Sequence, residues 1–600
     1  MITRHLLVFG AMLLLSSPVG LRAQDKNLAW AVARAPADAF AVISTGNVQD
    51  LVNNTRKLTG RADNVPDLSA EMEKLLPAGI DVKGAAVMVI MQGKRHPDTV
   101  VLICRIKDGA SLEGEPLEDG IVKSGVASGP DIYLLKMSPW AAISDNLAAV
   151  KAISASAARL KISPQQRADI NDHSMWAWIN TKALAAAVKS SLPENQSEVS
   201  RSARKPELTG VAAWFAAALD QVDSLTAVID MKPEAASVAI GLEYTPGSQL
   251  SLLAASAMPI ASYKAGLPVS DRILIAGWGR IDWLKAIGPA KSTFRPLLDA
   301  IVPASNVNAR KSLDDLWAVY DEWAAAVGDE LGFVLEPAPA SEGMYRMTET
   351  ISVKNPDTFR KLIVKTMPLS ANLTKAFTDL GPMRGMEVQE DYKPAAENIE
   401  GIPVDINKTR VVFSSSPDMS PDKREGSQKV LDALYGPEGL TMRMAVVGRT
   451  AVISMGGKAA MARAISSVQG KAPDLSDNPK VAAALSRVPK NASFAGLISL
   501  PNYAHFTISS MERMMAATMP VGTMPPPLKE PVSGDLVTLS AHAQASTQYF
   551  NLYVPQSEIR GMIEIFDQMP SRMGRGRRPA NGGGTRKISP APDGQPPPGD

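Results

Sequence analysis

Methionine supplies the densest cluster of potential ligand side chains in this 600-residue chain. Met511, Met514 and Met515 are followed closely by Met519 and Met524. Thioethers can coordinate Cu(I), but a spacing of i, i+3 and i+4 is typical of a helix that buries one face or offers an adaptable apolar surface. We therefore predict core packing or a partner surface at Met511, Met514 and Met515, and no metal site.

Two tryptophans form the second candidate group. Trp176 and Trp178 alternate along an apolar stretch, so on a strand they would share one face. Paired tryptophans can line a groove for a glycan or a lipid, although packing between layers is their commoner role. We include both in the predicted partner surface.

The side chains that usually carry catalysis are sparse or badly spaced. The chain has five histidines, and no two of them lie at zinc-ligand spacing. The sequence contains no nucleophile elbow, no phosphate-binding loop and no complete dinucleotide fingerprint. We predict no catalytic residue and no cofactor. The alternative is a hydrolase that assembles its site from scattered acidic residues, since a retaining glycosidase needs only two carboxyls about 5 Å apart.

Composition narrows the class of partner. The net charge is +2, so no basic field attracts nucleic acid, and hydrophobic (45%) and charged (21%) residues occur in ordinary globular proportions. The only cysteine, Cys104, lies in an apolar run and is predicted to be a buried, inert thiol.

The N-terminus has the pattern of an export signal. Arg4 precedes an apolar run over residues 6–15, and Leu21-Arg22-Ala23 offers a cleavage site. No later apolar run approaches the roughly twenty residues of a membrane-spanning helix. We predict a signal peptide over residues 1–23 and a mature protein in the periplasm or outside the cell. The Gly-, Pro- and Arg-rich residues 569–600 are predicted to be a disordered tail.

Four stretches of the first half recur in the same order in the second half, and the separation of the partners grows from 233 to about 310 residues. The pairs are Gly46–Leu51 with Gly279–Leu284, Ile106–Leu112 with Val353–Phe359, Ile143–Ser154 with Ile453–Ser466, and Pro246–Leu250 with Pro555–Ile559. We predict a duplication, with halves at residues 24–262 and 263–568 and an insertion near 361–440.

Each half reads as strands and helices without strict alternation, which predicts an α+β fold of mainly antiparallel sheet with helices packed on one face. Alternating apolar residues such as Val238, Ile240 and Leu242 indicate strands with one face towards solvent. Ser248, Asp282 and Ser557 are predicted helix N-caps, and Ser111 is a further candidate.

The opening segment Pro36-Ala37-Asp38-Ala39-Phe40-Ala41-Val42-Ile43 resembles the start of repeated strand–helix modules in large exported bacterial proteins of unknown function. The resemblance implies export and an α+β fold, and it implies no active site. We predict a non-catalytic binding or scaffold protein of the cell envelope. Its partner would be a protein or an envelope polymer, bound in a cleft between the halves.

Overall fold

The computed structural model describes residues 27–60, 68–91, 99–125, 131–191, 205–302, 306–380, 386–413, 421–516, 527–531, 534–544 and 546–569. The predicted signal peptide and all but the first residue of the predicted tail lie outside this part of the chain, as do Met519 and Met524.

The strands, numbered in chain order, are β1 (Ala41–Thr45), β2 (Ile80–Met91), β3 (Thr99–Ile106), β4 (Glu115–Pro116), β5 (Ile121–Ser124), β6 (Ile132–Met137), β7 (Trp140–Ser144), β8 (Met175–Ile179), β9 (Val222–Lys232), β10 (Ala235–Tyr244), β11 (Ile275–Arg280), β12 (Val327–Pro337), β13 (Tyr345–Val353), β14 (Met386–Ile399), β15 (Ile402–Phe413), β16 (Leu440–Val447), β17 (Thr450–Met455), β18 (Phe494–Ile498), β19 (Val537–Gln544) and β20 (Thr547–Pro555).

The helices are α1 (Leu28–Val32), α2 (Val48–Thr59), α3 (Leu68–Leu75), α4 (Leu147–Ala155), α5 (Pro164–Asp172), α6 (Thr181–Ser191), α7 (Lys205–Leu219), α8 (Gln249–Ala255), α9 (Trp283–Ile301), α10 (Val307–Ala326), α11 (Pro356–Leu380), α12 (Pro421–Tyr435), α13 (Lys458–Val468), α14 (Pro479–Leu485), α15 (Leu500–Ala516) and α16 (Gln556–Asp567). The predicted α+β class with antiparallel pairing is confirmed.

All the strands belong to one antiparallel sheet, and β10 and β20 pair at its centre. Outward from β10 the order is β9, β8, β1, β2, β3, β7, β6, β5, β4. Outward from β20 it is β19, β18, β11, β12, β13, β17, β16, β15, β14. Strands β1 to β10 on one side of the sheet therefore hold the same relative positions as strands β11 to β20 on the other side.

Helices cover both faces of the sheet, which refines the prediction of helices on one face. On β7, Ile143 packs in one cluster with Val48 and Leu51 of α2, whereas the adjacent Ala142 packs in another with Val150 of α4. Successive side chains of a strand point to opposite faces, so α2 and α4 lie on opposite sides of the sheet. We call the side that carries α4 the upper face and the side that carries α2 the lower face.

The predicted caps are confirmed in two places and wrong in two. Ser248 accepts a hydrogen bond from the Ser251 N–H, and Asp282 accepts one from the Lys285 N–H. Ser557 instead lies inside α16, which begins after Pro555, and its hydroxyl accepts from the Asp535 N–H. Ser111 caps no helix, because residues 107–114 form a loop.

The last helix of each side lies against the first long helix of the other. α8 packs on α9, and α16 packs on α2. Gln556 Nε2 and Arg560 Nη2 of α16 each donate to the Lys57 carbonyl of α2, both at 3.0 Å. The two sides are therefore joined by helices on the lower face as well as by the β10–β20 pair. In the described part of the chain, no helix has the length and apolar character required to cross a membrane.

Candidate functional site

A groove of about 870 Å³ crosses the upper face of the sheet at its centre. Its floor consists of β9, β10 and β20, and its wall is the segment from Ala157 to Ser163 together with α5. We call it the central groove. Its lining mixes polar and apolar residues. The polar ones are Arg159, Lys161, Ser163, Gln165, Gln166, Asp169, Asp223, Ser224, Thr226, Glu243, Thr547 and Tyr549, and the others include Leu160, Ile162, Trp178, Val228, Ala239 and Gly241.

The floor is an aromatic platform supported by a glycine. Gly241 of β10 pairs with Thr226 on one side and with Tyr549 on the other. A Cβ atom at Gly241 would lie 2.8 Å from Thr226 Oγ1 and 3.3 Å from Tyr549 Cε1, so the missing side chain leaves room for the tyrosine ring. That ring in turn stacks on His542 of β19, with centroids 5.2 Å apart and planes inclined by 16°.

The same polar face continues beyond His542. Asn551 Nδ2 lies 3.4 Å from Ser540 Oγ and 3.2 Å from His542 Nδ1. The Arg487 guanidinium lies 4.8 Å from the ring centroid of Tyr553 and forms an ion pair with Asp535. Because residues opposite one another in an antiparallel ladder share a face, Asn551, Ser540 and His542 lie on the same face of the sheet as Tyr549.

Carboxylates outnumber available cations in the central groove. Glu243 accepts from the Ser224 hydroxyl at 2.9 Å, and Asp169 accepts from Gln165 Nε2 at 2.8 Å. The guanidinium of Arg159 is directed at backbone carbonyls, including that of Arg34 at 3.2 Å. Burial, together with the charges of Asp169 and Glu243, raises the pKa of Tyr549, which therefore stays a neutral phenol at physiological pH.

A histidine–carboxylate pair lies on the same face, beside the groove. His173 Nδ1 is 2.6 Å from Asp230 Oδ2, and Asp230 continues the row of Ser224, Thr226 and Val228 along β9. The bond to Asp230 raises the pKa of His173. Burial alone would raise the pKa of Asp230, but the hydrogen bonds from His173 and Ser174 outweigh it and lower that pKa.

Ser174 does not complete a catalytic triad. Its hydroxyl and its N–H both donate to Asp230 Oδ1 at 3.2 Å, so they bind the carboxylate and not the His173 imidazole. A nucleophilic serine must instead be within hydrogen-bond reach of the histidine that removes its proton. In the described residues, no group of three or more His, Cys, Asp or Glu side chains could hold a metal ion.

The two tryptophans predicted as a partner surface differ in position. Both lie on β8 and point to the upper face, but Trp176 is 1% exposed and belongs to the core. Trp178 is 8% exposed and contributes to the lining of the central groove.

The predicted methionine cluster lies elsewhere, on α15. Met511 is 53% exposed and Met515 is 40% exposed, while Met514 is half-buried. The outward side chains make this helix face a solvent-facing surface rather than a packed core, and none of the three lines the central groove.

Sequence reasoning missed Tyr549, Glu243, Asp169 and Thr226, which define the groove. Tyr549 pairs with Gly241 across 308 positions of the chain, and no local pattern joins the two. The one available signal was the alternation along β10 and β20, which marks one face of each strand as polar.

No protein-family model matches the chain, and no curated protein matches it. Among solved structures, the chain is similar to crystal form I of TP0453, with a TM-score of 0.20 and 7% identity over 36% of this chain and 79% of that one. Crystal form III of TP0453 gives a TM-score of 0.20 and 9% identity over 38% of this chain and 89% of that one. A likeness at this level carries no argument about fold or function.

Proposed function

We propose that this chain is an exported, non-catalytic binding protein that holds an extended neutral glycan of the cell envelope in its central groove. The observation that carries the proposal is the floor of that groove, where Tyr549, stacked on His542, is surrounded by hydroxyls, amides and carboxylates. Sugars present C–H faces that pack on aromatic rings and hydroxyls that both donate and accept hydrogen bonds, so this lining matches them.

The geometry disfavours the other macromolecular ligands. Strands β9, β10 and β20 are paired on both edges, so the floor offers no open edge to which a peptide could add as a strand. Asp169, Asp223 and Glu243 would repel a phosphate backbone.

The carboxyl groups of the groove are engaged by neighbouring side chains. Glu243 accepts from the Ser224 hydroxyl, Asp169 accepts from Gln165 Nε2, and Asp223 forms an ion pair with Lys182 at 3.3 Å. Carboxylates held in this way are suited to accept hydrogen bonds from the hydroxyls of a sugar, which favours binding over hydrolysis.

Duplication and export remain parts of the proposal. The matching strand order on the two sides of the sheet supports a duplicated unit. The matched stretches support it as well. Ile143 lies on β7, which pairs with β3, and Ile453 lies on β17, which pairs with β13, so the two residues hold corresponding positions on the two sides of the sheet. The signal-like N-terminus supports export, which would place the groove where envelope glycans occur.

The test is binding of the purified protein to soluble β-1,4-linked oligosaccharides of glucose and of N-acetylglucosamine, measured by calorimetry, and to insoluble peptidoglycan, measured by co-sedimentation. We expect Tyr549→Ala to weaken binding about tenfold, which corresponds to about 1.4 kcal/mol. Tyr503→Ala is the matched control, because Tyr503 is 44% exposed on α15 and lies outside the groove. Absence of binding to every one of these glycans, or equal effects of the two substitutions, would refute the proposal. Release of new reducing ends would refute the non-catalytic assignment.

A further inference from the structure

A second cavity, of about 280 Å³, lies on the lower face between α11 and the sheet. Its inner wall is apolar and is supplied by Phe359 and Ile363 of α11 and by Met444, Val446, Ala451 and Ile453 of the sheet. We call it the α11 cavity. It shares no lining residue with the central groove.

The edge of the α11 cavity carries two cations. Arg360 and Lys361 both line it, and both side chains are exposed. Neither forms an ion pair with a carboxylate in the part of the chain that the structure describes. The neighbouring Val364 is 50% exposed, so the apolar wall continues outward from the interior to the surface beside these charges.

The single carboxylate of the α11 cavity is already engaged. Asp405 Oδ2 accepts from the Tyr392 hydroxyl at 2.9 Å, and Asp405 Oδ1 accepts from the Ala395 N–H at 2.7 Å. Burial and then the bond to Asp405 raise the pKa of Tyr392, which holds the phenol neutral. Arg360 and Lys361 therefore remain the charged groups free to meet a ligand.

The elements that wall the α11 cavity are those in which the two sides of the sheet differ most. β14 and β15 have 14 and 12 residues, whereas β4 and β5, which hold the same positions on the other side, have 2 and 4. α11 has 25 residues, and a loop takes its place between β3 and β4. A sheet core common to both sides does not require this extra material.

The hairpin also contains a strained residue at the α11 cavity. Ala395 has a φ of 46°, in the left-handed region that non-glycine residues avoid. It lies in the irregularity between Lys393 and Glu397, where its N–H is held by Asp405. A strained conformation that is held by a specific partner beside a cavity is typical of a built site.

We propose that the α11 cavity binds the acyl chain of a single-chain fatty acid, whose carboxylate pairs with Arg360 and Lys361. The apolar wall takes the chain and the two cations take the head group. The volume lies just below the roughly 300–1,000 Å³ of pockets that enclose whole drug-sized molecules, so one chain fits and a two-chain lipid does not. This inference does not depend on glycan binding in the central groove.

The experiment measures binding of dodecanoate, below its micellar concentration, to delipidated full-length protein by calorimetry. Dodecyltrimethylammonium, with the same chain and the opposite charge, is the matched ligand. We expect dodecanoate to bind at least tenfold more tightly than the cation, and the double substitution Arg360→Glu/Lys361→Glu to reverse that preference. Lys490→Glu, a charge reversal at an exposed residue outside the cavity, should change neither affinity.

A second variant tests the apolar wall independently of charge. Ile453→Phe adds volume at a partly exposed lining residue and should weaken both ligands by a similar factor. No dodecanoate binding, or dodecanoate binding that neither the double substitution nor Ile453→Phe alters, would overturn the proposal. So would equal binding of the two ligands, or binding to phosphatidylglycerol vesicles in place of the free fatty acid.

Discussion

Glu558 carries a fully buried carboxyl at the start of α16. The side chain is 0% exposed, Oε2 accepts from the Leu500 N–H at 2.6 Å, and Oε1 has no hydrogen-bond partner. It joins the first turn of α16 to the start of α15. Burial raises its pKa to about 7, the charge of Asp535 adds to the increase, and the Leu500 N–H and Lys480 oppose it.

This pKa predicts that the protein loses stability as the pH rises. The folded-state pKa of about 7 lies above the ordinary value of 4.5, so the folded state binds more protons than the unfolded state between these values. The contribution of Glu558 to the free energy of unfolding should fall by about 1.4 kcal/mol per pH unit across that window and stay constant above it.

Glu558→Gln tests this prediction, because glutamine keeps an acceptor for Leu500 and cannot ionise. Urea denaturation from pH 5 to 8 should show a smaller decline for the variant than for the parent protein. Glu564→Gln, at an exposed position of the same helix, should leave the parent slope unchanged. Identical slopes for Glu558→Gln and the parent would contradict the prediction.

At the scale of elements, an ion pair joins the long β14–β15 hairpin to β16. Arg443 of β16 reaches across β15 to Glu397 of β14, with Nε–Oε2 and Nη2–Oε1 distances of 3.2 Å, and also donates to the Gly456 carbonyl at 2.6 Å. The Arg443 side chain is 12% exposed and that of Glu397 is 23% exposed. The hydrogen bond from Arg443 lowers the pKa of Glu397.

Arg443→Met should therefore loosen the hairpin by leaving Glu397 partly buried without a partner, at a cost of about 1–3 kcal/mol. Hydrogen exchange of the amides of residues 386–399 should become faster, while exchange in β18 and β19 stays unchanged. Adding Glu397→Gln should recover part of the loss, because it removes the uncompensated charge. If the two substitutions change the free energy of unfolding additively, Arg443 and Glu397 are not energetically coupled, and the prediction is wrong.

The sequence predicted elements better than it predicted their assembly. The alternation of Val238, Ile240 and Leu242 correctly indicated β10, which pairs with β9 and β20. This signal is local, because the side-chain period of a strand depends only on neighbouring residues.

The central groove had no such signal. Its floor requires Gly241 to meet Tyr549, and its wall requires α5 to pack beside β9, so both depend on pairing between distant segments. The methionines of α15 illustrate the other limit. Their helical spacing was correct, but periodicity alone does not say whether an apolar face is covered, and Met511 and Met515 face solvent.

For the whole molecule, the central pairing predicts that neither side of the sheet is stable alone. A chain ending at residue 262 would leave β10 as an open edge, with Val238 and Leu242, which are partly buried in the full protein, on one face of that edge. We expect this fragment to aggregate or to pair with itself through β10, as measured by size-exclusion chromatography with light scattering. A monomeric fragment with cooperative unfolding would contradict the prediction.

The contact between α16 and α2 can form only late in the synthesis of the chain. The Lys57 carbonyl can accept its hydrogen bond only after Gln556, 499 positions later in the chain, has been synthesised. At about 5–20 residues per second, that interval is roughly 25–100 s. During this interval the early part of the nascent chain has an uncovered helix surface and an unpaired central strand, and it must be kept from aggregating until α16 emerges. Synthesis of α16 is thus itself a late step in the folding of a segment made long before it.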